Sequence, residues 1–166
     1  MNRLAQFALL CSLLICLAAS PCMAQSMPPG DYMAIDQYSV IYDNISQFQQ
    51  AVLAQVGSGV SAEDQQILLA TFCFSHSTIV ILDHVSRSIG FTYASSQDPT
   101  AGAVSTQLMC THYNYEYNAL TGYGAQLDQF AAGGNPAVAP YASALRENIT
   151  ALIQIMGGQM QQYCMQ

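Results

Sequence analysis

Residues 139–164, APYASALRENITALIQIMGGQMQQYC, decide the fold. Tyr141, Leu145, Ile149, Leu152, Met156, Met160 and Tyr163 recur in steps of three and four, which places one apolar stripe along one face of an α-helix. Pro140 suits the first turn, where an amide hydrogen has no intrahelical partner in any case. Gly157 and Gly158 interrupt the stripe at a cost of about 1 kcal/mol each relative to alanine. The last turns therefore need an anchor, and Cys164 stands where one is wanted.

Working back from that stripe, 131–140 carries Gly133, Gly134, Asn135, Pro136 and Pro140, a loop by composition. Before it, Val104, Leu108, Tyr115, Ala119 or Leu120, Tyr123, Leu127 and Phe130 keep helical spacing over 103–132. Within it 112–118 alternates polar residues with Tyr113, Tyr115 and Tyr117, a strand-like period that the flanking helical pattern outweighs. The stretch 90–102, with Gly90, Asp98, Pro99 and Gly102, reads as a connector. Residues 61–90 open on Ser61-Ala-Glu-Asp64, a capping-box pattern, and continue as an apolar helix. Ile35, Tyr38, Ile41, Ile45, Phe48, Val52 and Val56 mark another helix over 31–57, capped by Asp31 and ended at Gly57 to Gly59. Four helices with short connections predict an all-α protein, an antiparallel up-down four-helix bundle forming one domain over 31–166.

Upstream, Asn2 and Arg3, an uncharged apolar run over 4–19, and Ser20 to Ala24 have the layout of a secretory signal cleaved after Ala24, with 25–30 left as a short tether. The expected product is an exported chain of about 140 residues, large enough to bury its own core and without an integral membrane span after cleavage. The compartment is periplasmic or extracellular and oxidising. Three cysteines remain there, Cys73, Cys110 and Cys164, so one is left over from any internal bridge. In an up-down bundle Cys110 and Cys164 fall toward the same end and are the predicted pair. Cys73, inside the apolar run 67–82, is the free thiol, either buried or linking two chains.

Charge narrows the function. The chain has no lysine, and past the leader its only strong cations are Arg87 and Arg146, each expected to pair with a carboxylate. Nucleic acid is excluded as a partner, because its affinity comes from neutralising several phosphates with Arg or Lys. Schiff-base chemistry goes with the lysines. HExxH, GxSxG, Walker and CxxCH patterns are absent, and Gly122-Tyr-Gly124 lacks the rest of a dinucleotide fingerprint. No organic cofactor is indicated, and the balance favours a non-enzymatic binding or structural module. A sparsely charged surface rich in Gln and Asn also favours self-association or a protein partner.

One constellation offers chemistry. His112 and Glu116 stand one turn apart on the third helix, and across an antiparallel pair His84 and His76 fall near their depth, with Asp83 beside His84. Two imidazoles and a carboxylate suit zinc, copper or iron, so His112, Glu116 and either His76 or His84 form a candidate transition-metal set. The competing expectation is an exposed polar contact for His112 and Glu116, and a core position for His76. Tyr113 and Tyr117 are expected on the outside as a possible aromatic binding face, with Tyr115 and Tyr123 in the core.

Overall fold

The computed structural model describes residues 27–57, 59–95, 98–133 and 135–165. The expected leader, Met1 to Ala24, lies outside them. Four helices make up the fold, with no strand among the described residues: α1 Pro29–Gln55, α2 Ala62–Ser95, α3 Pro99–Ala132 and α4 Ala139–Cys164. The protein is all-α, and the strand-like alternation at 112–118 is helical.

Local chemistry sets the boundaries. Helix α1 starts at Pro29, inside the expected tether, so Asp31 lies within the first turn and caps nothing. Its buried carboxylate accepts a hydrogen bond from the Tyr163 hydroxyl at the far end of α4, 2.5 Å away. Gly57, at φ 86°, supplies the left-handed residue that ends the helix. The capping box forms as read: Asp64 N–H donates to Ser61 Oγ at 3.1 Å, and Ser61 Oγ–H donates to Asp64 Oδ2 at 2.7 Å. Asn135 Nδ2 donates to the other Asp64 oxygen, which fastens the α3–α4 loop to the head of α2.

The connector expected over 90–102 is much shorter. Helix α2 runs through Gly90 to Ser95 because Ile89 and Thr92 are still buried, with the Thr92 hydroxyl donating to Met109 Sδ at 3.6 Å. Helix α3 begins at Pro99, where Asp98 caps the free amides of Thr100 at 2.8 Å and Ala101 at 3.2 Å. The cap that the sequence offers at Asp98-Pro99 prevails over the helix-weakening of Gly90 and Gly102.

A main core joins all four helices through Tyr38, Ile45, Leu82, Val85, Tyr113, Leu120, Leu145, Ile149 and Leu152. A smaller cluster of Val52, Leu68 and Val138 seals the end near the α3–α4 loop. Contact pairs locate the seams. Cys110 meets Cys164 and Asp128 meets Arg146 between α3 and α4. His84 meets Glu116 and Phe74 meets Tyr123 between α2 and α3. Asp31 meets Tyr163 and Phe48 meets Tyr141 between α1 and α4. The Cys110 and Cys164 sulfurs lie at disulfide distance, with Cα atoms 5.7 Å apart, which anchors the turns that contain Gly157 and Gly158.

Helix α2 has the one span among the described residues that is long and apolar enough to cross a membrane, with mean hydropathy 1.4, and a third of that window is buried inside the protein. Thr71, Ser75 and Thr78 are part of its buried face, their hydroxyls donating back to the carbonyls of Ile67, Phe72 and Phe74. That face leaves position 73 pointing outward. Cys73 is therefore exposed and unpaired, which corrects the expectation that it could be buried.

Candidate metal site on the α2–α3 seam

On α3 the inward face is Ser105, Met109, Tyr113, Glu116, Leu120, Gly124 and Leu127. This is one position away from the purely apolar stripe read in the sequence: Val104 and Leu108, taken as core, are exposed. The shift reverses the tyrosines. Tyr113 is completely buried and donates its hydroxyl to Val85 O at 3.2 Å, whereas Tyr115 is 78% exposed. Tyr117 and Tyr123 are half-buried, and Tyr123 stacks on Phe74 at a centroid distance of 4.9 Å and an angle of 18°. An outward aromatic face of Tyr113 and Tyr117 is thus overturned. The periodicity failed because the true face includes a serine, a glutamate and a glycine.

The same shift turns Glu116 toward the interior, 6% exposed, at the seam with α2. Opposite it, His84 Nδ1 lies 2.5 Å from Glu116 Oε1, so ring and carboxyl share a short hydrogen bond. One turn before Glu116, His112 sets its ring edge-on to His84, with centroids 4.7 Å apart and an interplanar angle of 84°. One donor atom from each of His84, His112 and Glu116 lies within 4.8 Å of the others. Bonds of about 2.1 Å around a tetrahedral ion separate donors by about 3.4 Å, so modest side-chain rotations bring all three onto one ion.

The electrostatics suit a cation. Burial pushes the Glu116 carboxyl above its ordinary range, opposed by the favourable charge and hydrogen bond of His84 and by His112. Its Oε2 is buried with no hydrogen-bond partner among the described residues, a costly state for a carboxylate oxygen that a cation would relieve. Behind it, burial raises the phenols of Tyr38 and Tyr113 well above their usual value, with the charge of Glu116 adding to the effect.

Of the candidate residues, the structure brings together His84, His112 and Glu116. His76 is exposed rather than in the core, and eight residues from His84 it is about 12 Å away along the helix. It lines the same groove but stays outside the donor cluster. Asp83 turns outward to pair with Arg87 at 2.8 Å, and Arg146 pairs with Asp128 at 3.1 Å. Buried polar side chains that the sequence pattern does not mark include Ser105 and Gln159. Gln159, between the glycine pair and Met160, carried no signal that it faces inward.

No protein family, curated protein or solved structure matches this chain.

Proposed function

We propose that the protein is an exported, antiparallel up-down four-helix bundle that serves as a non-enzymatic binding module for a divalent transition metal. The convergence of His84, His112 and Glu116 carries the metal reading. The up-down arrangement is supported by the contact pairs, which advance on one helix as they retreat on its neighbour along the α3–α4, α2–α3 and α1–α4 seams. The leader-like layout of 1–24 supports export.

Two neutral imidazoles and one carboxylate are the donors zinc takes at three-ligand sites with an open fourth position. Metal binding would replace the proton now shared between His84 and Glu116. The surrounding acidity concentrates cations at the surface, since past the leader the chain carries about eight net negative charges. Purification of the untagged protein, metal analysis, and zinc titration of the stripped sample test the reading. About one equivalent in the native protein, lost in His112→Ala, is expected. Less than about a tenth of an equivalent, even after loading, refutes it.

The exposed Cys73 favours a second reading, an interaction protein in which two copies are linked through that thiol. Non-reducing electrophoresis of exported protein decides it. A dimer lost in Cys73→Ser supports the link, and a monomer with a free Cys73 thiol excludes it.

A further inference from the structure

The groove that contains the candidate metal donors is far larger than an ion needs. It has a volume of ≈ 610 Å³ and extends along the α2–α3 seam from Thr111 and His112 to His76 and Tyr123. That size belongs to sites for small organic molecules. Its floor is made by Ala119, with Val80 and Ile81 facing it from α2. Tyr115 and Tyr123 stand one helical turn on either side of Ala119, so two phenol rings flank the smallest side chain of the floor. Tyr123 is held by its stack on Phe74, while Tyr115, which also lines the groove, is 78% exposed.

Charge specifies what would lie there. A divalent ion on two neutral imidazoles and one carboxylate retains a net charge of about +1. Among the described residues no other strong cation competes for an anion in this groove: the chain has no lysine, Arg87 is engaged by Asp83, and Arg146 is engaged by Asp128. A single negative oxygen donor is therefore drawn to the ion, while a polyanion would be repelled by the acidic remainder. Around Ala119 the lining is apolar or aromatic, through Val80, Ile81, Tyr115 and Tyr123, which calls for a flat apolar body.

From this geometry we infer that the groove binds a monoanionic oxygen-donor ligand with an aromatic body, of the aryl carboxylate or aryl hydroxamate class. Its anionic end fills the open position of the metal held by His84, His112 and Glu116, and its ring lies over Ala119 between Tyr115 and Tyr123. His76 and Ser77, at the far end, are placed to hydrogen-bond a polar substituent. This inference rests on the metal reading proposed above, and its test separates the two.

Calorimetric titration of the zinc-loaded, untagged protein with benzohydroxamate and with acetohydroxamate compares one metal-binding group with and without a ring. Benzohydroxamate is expected to bind at least about tenfold tighter, because its ring leaves water for the groove floor. Without zinc neither probe should bind measurably. Ala119→Phe, which fills the floor, should reduce the ratio of affinities to near one. Tyr115→Ala, which removes an exposed ring without crowding the seam, should lower it severalfold. Zinc binding with equal affinity for both probes overturns the aromatic-ligand inference and leaves the metal reading standing, as does a ratio unchanged in Tyr115→Ala. Failure to bind zinc overturns both.

Discussion

The two seams of helix α3 are built on opposite principles. Against α4 the chain is fastened: Cys110 lies at disulfide distance from Cys164, Arg146 donates to both Asp128 oxygens at 3.1 Å, and Gly124 lets the guanidinium lie flat on the helix. An alanine Cβ at Gly124 would come within 3.1 Å of Arg146 Cζ. Against α2, no covalent link exists among the described residues, the floor residue is alanine, and a buried carboxylate oxygen lacks a hydrogen-bond partner. A helix held firmly on one side can keep an unsatisfied polar layer on the other. In this reading the first seam supplies stability and the second spends part of it on a ligand site.

The sharpest way to break that contrast is to unfasten the first seam. Replacing Cys110 and Cys164 by serine, or reducing the protein, removes a cross-link between residues 54 apart in sequence. The expected loss is about 4 kcal/mol, read as a lower midpoint in denaturant. Zinc affinity of the folded variant should change little, because the donors lie on the other seam.

The converse substitution acts on the second seam. His112→Ala should weaken zinc at least about a hundredfold, more than the loss of an outer hydrogen-bond partner costs, with thermal stability of the metal-free protein nearly unchanged. A zinc affinity equal to that of the wild type would remove His112 from the site.

Glycines sharpen the comparison at smaller scale. Gly122 has open space where a Cβ would be added, whereas Gly124 has Arg146. Gly122→Ala should stabilise by about 1 kcal/mol through helix propensity alone, and Gly124→Ala should gain visibly less because the guanidinium must move. Equal gains in thermal unfolding would show that the Arg146 contact is not constrained.

The smallest expected effect is a pH dependence. The Glu116 carboxyl is raised by burial, so the folded state prefers its neutral form. Its contribution to stability is complete below the ordinary carboxylate value and is lost as pH rises through the higher folded value. Glu116→Gln should therefore gain in melting temperature relative to the metal-free wild type as pH is raised from 4 to 8. A difference independent of pH would contradict the burial of an ionisable group here.

Much of the fold is legible in the sequence, and the misread faces of α2 and α3 have one physical origin. Helix content, the Ser61–Asp64 cap and the Cys110–Cys164 pair follow from spacing and depth, whereas for His112 and Glu116 spacing leaves the third donor open between His76 and His84. What periodicity could not show was a core face that is partly polar. An apolar stripe along α3 runs through the exposed Val104 and Leu108 and misses the real face of Ser105, Glu116 and Gly124. Tyr113 and Tyr115 were exchanged for the same reason, and Cys73 was drawn inward by greasy neighbours although its position on the helix faces out. Residues such as Glu116 and Gln159 are buried for what they contact across the seam, information that no local pattern contains.

Cobalt(II) titration followed by visible absorption tests the central claim most directly, because a low-coordinate site of nitrogen and oxygen donors colours the ion far more strongly than water does. The account predicts a visible band that saturates at about one equivalent of cobalt and is lost in both His84→Ala and His112→Ala. A spectrum that stays that of the aqueous ion throughout, or a band indifferent to both substitutions, would contradict it.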